Sequence, residues 1–190
     1  MLIITKLIGT TPLILHRFSD EAAENASSGT RSSKLTTDRG TPYEQCEQFL
    51  YKGLNDELVI PQPNLLRSII DGGRFTKIGR SQITTERKSE LFSCLTITAA
   101  TIPLIYRQPW KVDTRAVRIP ATGGRILRHR PMFDDWGLEF EMELDTEILS
   151  GKLLRKIVDD AGSRVGLGDF RPATKGPYGK YRVDLWEEQQ

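Results

Sequence analysis

The segment from Val165 to Val183, VGLGDFRPATKGPYGKYRV, contains the residue types that bind phosphate groups. Glycine lets the backbone come close to a phosphodiester and lets N–H groups point at its oxygens. The segment interleaves glycines with cations and aromatic rings, namely Gly166, Gly168, Phe170, Arg171, Lys175, Gly176, Tyr178, Gly179 and Lys180. No Walker pattern follows a strand, so a nucleotide phosphate loop is not predicted. The alternative interpretation is a helix-to-strand connection that needs glycine for its turns.

Basic residues collect in three windows of the chain. Residues 74–88, 111–131 and 164–182 have net charges of +4, +5 and +4, so the remaining residues carry −11 within a total of +2. A protein that binds a polyanion concentrates Lys and Arg where the phosphates lie. Arginine also grips phosphate with paired hydrogen bonds and stacks on bases. The windows predict a nucleic-acid-binding surface, and solvated basic loops without a ligand are the alternative.

The predicted contacts to nucleic acid come from these windows. Their cations are expected to meet phosphates, and the rings of Phe170 and Tyr178 are expected to stack on bases. The predicted phosphate contacts are Arg74, Lys77, Arg80, Arg115, Arg118, Arg125, Arg128, Arg130, Arg171, Lys175 and Lys180.

Several other classes of protein are excluded. The longest apolar stretch, Leu95 to Tyr106, contains three threonines and is shorter than the roughly 20 residues of a membrane span. No basic region precedes the first apolar residues, so no signal peptide is predicted and a cytoplasmic location is expected. Cys46 and Cys94 lack CxxC or Cys/His spacing, so neither a disulfide framework nor a metal site is predicted. Neither cysteine has a histidine nearby in sequence that would predict a nucleophile.

Hydrophobic periodicity predicts an α+β domain. The expected strands cover residues 2–8, 91–106, 137–145 and 181–186, the expected helices cover 63–71 and 146–161, and a hairpin joins 115–119 to 125–129. This order is typical of the split βαβ folds, ferredoxin-like and RRM-like, with an antiparallel sheet. The whole chain, 1–190, is predicted to be one domain with a polar loop insertion at 19–57 and a basic hairpin insertion at 111–131.

Two segments resemble the repeat-associated (RAMP) proteins of CRISPR effector complexes. ELVIPQPNLLRSIIDGG is similar to the family's Ile-Pro-Gly-Ser-Ser-Leu-Lys/Arg-Gly helix start, and the segment from Val165 to Val183 looks like its glycine-rich loop before the final strand. The positions that match the first motif are Ile60, Pro61, Leu66 and Arg67. Gln62-Pro63-Asn64 stands where the family has Gly-Ser-Ser, and Ser68 stands where it has Gly.

The resemblance implies a subunit that forms the backbone along guide RNA. In that group a basic hairpin, the thumb, folds over the strand bound by a neighbouring subunit, and residues 113–131 are similar to it. The implied ligand is single-stranded RNA, including guide RNA, with Arg67 among its contacts. Self-association into a helical filament, contacts with other effector subunits and a role in antiviral defence are also implied. The expectation also includes a phage or mobile-element relative of such a subunit, and a phage-type single-stranded DNA-binding protein is an alternative.

Catalysis is a further alternative, and it rests on the same resemblance. Relatives that process guide RNA use a histidine as general acid or base, and His16 follows the first strand. Some target-cleaving relatives carry an aspartate after the first strand for metal-assisted hydrolysis, and Asp20 and Asp38 lie in the equivalent loop. Such residues are also common in ordinary packed or polar segments. The expectation is therefore a binding protein without catalysis, cofactor or metal.

Overall fold

The computed structural model describes residues 1–18, 27, 40–118 and 123–189 of the chain. These residues form an α+β structure with antiparallel sheets. The strands are β1 (Leu2–Gly9), β2 (Leu13–Ile14), β3 (Val59–Pro61), β4 (Lys77–Ile78), β5 (Ser81–Gln82), β6 (Leu95–Ile97), β7 (Thr101–Ile105), β8 (Lys111–Arg118), β9 (Arg125–Phe133), β10 (Gly137–Leu144) and β11 (Tyr181–Gln189). The helices are α1 (Pro42–Glu47), α2 (Gln62–Gly72), α3 (Leu91–Cys94) and α4 (Gly151–Asp160).

The main sheet places β1 and β10 at its centre. Its strand order is β11-β1-β10-β7-β3, and β6 also pairs with β10. Every pairing is antiparallel. In β10 the buried side chains are Leu138, Phe140, Met142 and Leu144, and the glutamates between them are exposed. The alternation predicted for this strand is confirmed.

Two helices supply the other half of the core. Leu65 and Ile69 of α2 and Leu154 and Ile157 of α4 are fully buried, and they join the buried side chains of the sheet in one cluster. The two helices approach closely at Gly72, where an added Cβ would lie 2.7 Å from the Ile157 carbonyl oxygen. The predicted helix after Pro61 is confirmed, with Pro63 in its first turn where no N–H is needed.

The face of the main sheet that β10 turns to solvent is acidic. It exposes Glu139, Glu141 and Glu143 of β10. Glu187 of β11 lies on the same face, because Ile4 of β1 is directly opposite both Glu141 and Glu187 and residues directly opposite each other point to one side of a sheet. On this face the described strands β1 and β10 carry no aromatic ring. RNA-recognition domains bind bases through aromatic rings on their sheet, so this face is unsuited to that binding mode.

The prediction of one long strand over 91–106 is wrong. Residues 91–94 form α3, and two separate strands follow it. β6 pairs with the end of β10 near Leu144, whereas β7 pairs with its beginning at Gly137. Between them, Thr98 N donates to the Glu141 carbonyl, and the Ala100 carbonyl accepts from Gln62 N. Residues 98–101 are all exposed, and the buried positions change phase across the break, from Leu95 and Ile97 to Ile102 and Leu104.

Other predicted boundaries shift for local reasons. The helix expected from Thr146 begins at Gly151, because Asp145 accepts from Glu147 N and Leu149 N and closes a separate turn. It ends in a π-helical turn at Ala161–Val165. Within the predicted insertion at 19–57, residues 19–26 and 28–39 lie outside the described residues, and the described part contains α1.

Three further features bear on the excluded classes. Among the described residues, none of the helices combines the length and apolar character needed to cross a bilayer. Within the same residues, no group of three or more His, Cys, Asp or Glu side chains could hold a metal ion. Cys46 and Cys94 are buried free thiols, and burial raises the pKa of Cys46 to about 11.

Candidate nucleic-acid interface

The hairpin formed by β8 and β9 is fixed to the core at its base. Met132 and Phe133 of β9 pair with β2, which makes a three-stranded sheet in which β8 lies at an edge. Phe133 is fully buried, and Trp136 donates from Nε1 to the Thr11 carbonyl at 2.8 Å. The sequence predicts a projecting hairpin with almost no apolar face. The base of the hairpin is nevertheless anchored, as the sequence positions of Phe133 and Trp136 predict, because a third strand and the buried ring of Phe133 support it.

A chain of alternating charges links the hairpin to the glycine-rich loop, residues 166–180. Arg130 Nη1 donates to Asp169 Oδ2 at 2.7 Å, and Arg130 Nη2 lies 3.4 Å from Asp113 Oδ2. Arg115 Nε donates to both carboxylate oxygens of Asp113, at 2.8 and 2.9 Å. Arg130 is 6 % exposed and Asp113 is 7 % exposed. A buried charge needs a partner, so Arg130 joins the two segments and is not placed to meet a phosphate.

His16 extends this chain on the side of the loop. Its Nδ1 lies 3.4 Å from Asp169 Oδ2, and its ring packs edge-on against Phe49 at 4.5 Å between centroids. The contacts from His16, from Arg130 and from the Phe170 N–H hold the pKa of Asp169 well below its usual range. Asp169 is therefore a fixed negative charge at neutral pH.

Glycines of the loop pack against the protein's own backbone. An added Cβ on Gly168 would overlap the Ile14 carbonyl oxygen, and one on Gly179 would overlap the Leu167 carbonyl oxygen. Both glycines are in the left-handed region, with φ of +76° and +67°. The Ile14 carbonyl also accepts from Asp169 N at 2.8 Å. At these two positions the close approach expected towards a phosphodiester is made within the chain, as the turn interpretation requires.

Phe170 and Tyr178 stand together in the loop, and Arg115 reaches them from the hairpin. Their ring centroids are 6.0 Å apart. The Arg115 Cζ lies 4.8 Å from the Tyr178 centroid and 5.9 Å from the Phe170 centroid, and its Nη2 donates to the Tyr178 hydroxyl. Asp113 and Tyr178 raise the pKa of Arg115 by stabilising its charged form. The structure therefore brings together three predicted site residues that are distant in sequence.

A cleft of about 230 Å³ separates α2 from the glycine-rich loop. The polar side chains of its lining include His16, Asn64, Arg67, Ser68, Asp169 and Arg171. The walls are held in place by Ser68, whose Oγ donates to the Gly166 carbonyl and is 2.9 Å from the buried Tyr181 hydroxyl. The two segments that carry the family resemblance thus meet in one cleft, with an arginine on each side.

Four further predicted contacts lie on the hairpin and in the glycine-rich loop; Arg118, Arg125 and Lys175 are exposed, and Lys180 is half-buried. Arg118 and Arg125 face each other across the hairpin, and like charges directly opposite in a ladder repel. Among the described residues, Arg118, Arg125, Lys175 and Lys180 form no ion pair with a carboxylate, since the described ion pairs use other cations. Bound phosphates would relieve this repulsion.

Three of the remaining predicted contacts, Arg74, Lys77 and Arg80, lie away from the cleft that Arg67 lines. Arg67 and Arg74 both pair with Asp71, at 3.1 and 3.3 Å, and Lys77 and Arg80 belong to the small exposed ribbon of β4 and β5. The ribbon follows the C-terminal end of α2, whereas the cleft lies along its first half. Arg74, Lys77 and Arg80 therefore form a second basic patch. Asp20 and Asp38 fall outside the described residues.

Sequence reasoning missed the central roles of Asp113 and Asp169. The net charge of each basic window includes its aspartate only as one subtracted charge. The available signal is that each is the single acidic residue within residues 111–131 or 164–182. A lone carboxylate among cations is placed to organise them.

Comparison with known proteins identifies the fold. No family model matches the chain. No curated protein matches it in sequence. Among solved structures, this chain is similar to a chain in the cryo-electron microscopy structure of the Type III-B Cmr-beta bound to cognate target RNA. The TM-score is 0.52 and the sequence identity is 10 %. The match covers 98 % of this chain and 59 % of that chain, so this protein spans about three fifths of its neighbour's length. The two chains share a fold.

Proposed function

We propose that the protein binds single-stranded nucleic acid, RNA ahead of DNA, along the hairpin and the glycine-rich loop. The observation that supports this most directly is the chain of contacts through Arg130, which joins two basic segments into one surface and leaves other cations exposed. The proposed phosphate contacts are Arg67, Arg118, Arg125, Arg128, Arg171, Lys175 and Lys180. Arg74, Lys77 and Arg80 provide a second patch for a longer strand.

We further propose a RAMP-type protein with a ferredoxin-like fold. The strand order β11-β1-β10-β7, with α2 after β1 and α4 after β10, supports this arrangement. The structurally similar chain belongs to a complex bound to cognate target RNA, which supports RNA as the ligand. The protein would then act in the cytoplasm, as a subunit of a CRISPR-type effector or as a phage or mobile-element relative of one.

Assembly of several copies along one strand completes the proposal. The exposed arginines at the end of the hairpin and the acidic face of Glu139, Glu141 and Glu143 have opposite charge. Contact between the hairpin of one copy and the acidic face of the next is heterologous and does not close on itself. Such a contact generates a helical filament whose length follows the ligand.

Affinity for single-stranded RNA is expected to fall steeply with salt. If about five phosphates are neutralised, log K falls by about 3.5 per unit of log salt, because each contributes about 0.7 on a single strand. Arg118→Ala/Arg125→Ala is expected to reduce this slope by about 1.4. Filter-binding titrations at several salt concentrations, with a DNA strand of the same sequence in parallel, measure both effects.

The matched control is Lys152→Ala/Arg155→Ala, which removes the same charge from α4, away from the hairpin. This variant is expected to keep the salt slope of the wild type. Salt-independent binding, or an equal loss of slope in both double variants, would contradict the proposed interface.

Cleavage of RNA is the second candidate function, and the contact of His16 with Asp169 at the cleft favours it. A carboxylate on Nδ1 orients the imidazole and leaves Nε2 for proton transfer. On this hypothesis purified protein cleaves linear RNA at discrete positions in the presence of EDTA. His16→Ala abolishes cleavage while RNA affinity is retained. Intact RNA after incubation with the wild type would eliminate this candidate.

A further inference from the structure

We propose that Phe170 and Tyr178 form a binding site for one unpaired nucleobase and that Arg115 occupies this site in the free protein. The inference rests on the proposed function and adds a step to it. The strand would displace the Arg115 side chain from the rings, and the freed guanidinium would turn to the phosphates.

The first support is the position of Arg115. Its Cζ lies over the Tyr178 ring at 4.8 Å from the centroid and 5.9 Å from that of Phe170, which is the distance range of cation–π contact. Nη2 donates to the Tyr178 hydroxyl, and Nε is held by Asp113. The side chain is 36 % exposed, so these contacts form at the surface, where a ligand can reach them.

The second support is the backbone that carries Phe170. Its φ is +50°, in the left-handed region that an aromatic residue rarely adopts. The Phe170 N–H donates to Asp169 Oδ1 at 2.8 Å, and an added Cβ on Gly176 would overlap the Phe170 carbonyl oxygen. The loop thus holds the backbone of Phe170 in a strained conformation and keeps its ring next to that of Tyr178. Strain of this kind concentrates at functional sites.

A nucleobase can compete with Arg115 for these rings. Stacking of one base on an aromatic ring is worth about 5- to 150-fold in affinity, whereas an exposed cation–π contact is worth about 2- to 5-fold. The displaced arginine keeps Asp113 as its partner on the hairpin. Replacement of Arg115 by a base on the two rings therefore favours the bound strand. The net gain in affinity is smaller than that of stacking alone, because the contact with Arg115 is lost.

The test compares an RNA of about ten nucleotides with an abasic strand of the same backbone. The measured quantity is the ratio of Kd for the abasic strand to Kd for the RNA at fixed salt. Arg115→Ala is expected to raise this ratio about 3- to 10-fold, since the cation–π contact and the hydrogen bond no longer compete. Tyr178→Ala is expected to bring the two Kd values close together, because the base of the RNA then loses a ring on which it stacks. Arg118→Ala, on the same strand but away from the rings, weakens both ligands and leaves the ratio unchanged.

A second variant separates displacement from folding effects. Tyr178→Phe keeps the ring and removes the hydroxyl that holds Arg115, so the ratio is expected to rise about 2-fold. If both Arg115→Ala and Tyr178→Phe bind with the expected salt dependence but their ratio stays at or below the wild-type value, the displacement is refuted. The proposed function would remain intact in that case. If the wild type binds neither the RNA nor the abasic strand, both the displacement and the proposed function are overturned.

Discussion

Arg130→Ala is expected to lower the free energy of unfolding by about 3 kcal/mol, near the lower end for breaking a buried ion pair. The residue is 6 % exposed and lies between Asp113 and Asp169. Its removal leaves both carboxylates without their shared cation, although Arg115 and His16 still face them. Urea denaturation followed by circular dichroism measures the change.

Two variants identify the cause of this loss. Arg125→Ala removes the same side chain from an exposed position of β9 and is expected to change stability by less than about 0.5 kcal/mol. Arg130→Met keeps much of the volume without the charge, and it is expected to be about as unstable as Arg130→Ala because both carboxylates lose their shared cation. A methionine variant as stable as the wild type would mean that packing, and not ion pairing, joins the hairpin to the loop.

The same ion pair has a defined pH dependence. The folded-state pKa of Asp169 is lowered, so its contribution to stability is present above the unfolded-state pKa near 3.9 and is lost as pH falls below it. In Arg130→Ala one of the contacts that lower this pKa is gone. The stability difference between the wild type and the variant is therefore expected to shrink below about pH 4.

Replacing residues 116–127 with an Asn-Gly turn is expected to abolish assembly of several copies on one long strand. Arg115 and Arg128 lie directly opposite each other, so a two-residue turn can join them without altering the base of the hairpin. The variant keeps Asp113 and Arg130 and is expected to remain folded. Light scattering on complexes with strands of increasing length measures the number of copies bound.

Separate variants distinguish the length of the hairpin from its charge. Arg118→Ala/Arg125→Ala keeps the full hairpin and is expected to weaken assembly without abolishing it. Glu139→Lys/Glu141→Lys reverses charge on the acidic face and is expected to weaken assembly while affinity for a strand that holds one copy is unchanged. If the shortened variant still forms particles whose mass grows with strand length, the hairpin does not join the copies.

Elements with a strong local signal could be predicted from the sequence. The buried alternation of β10, the helix after Pro61 and the final strand all appear close to their predicted positions. Each depends on the side chains of its own residues, because one apolar face with the period of a strand or helix is enough to define it. The basic hairpin and the glycine-rich loop are local for another reason, because charge and turn-forming residues along a short stretch of sequence define them.

The break between β6 and β7 depended on partners far away in sequence. Thr98 N still donates to the Glu141 carbonyl of β10, whereas the Ala100 carbonyl accepts from Gln62 N at the start of α2. Periodicity reports which side chains are apolar and contains no information about which strand end each segment pairs with. The same limit applies to Gly168, since only the fold shows that its close neighbour is the Ile14 carbonyl.

The sequence by itself determined the composition of the interface, and the tertiary structure decided the role of each cation. The windows predict that arginines of the hairpin lie near a ligand, yet Arg130 is buried between two carboxylates while Arg118 remains exposed. This difference arises because Asp113 reaches Arg130 through strand pairing and Asp169 reaches it through the docking of the loop. A buried charge requires neutralisation in space, and proximity in space between distant residues is a property of the fold and not of the local sequence.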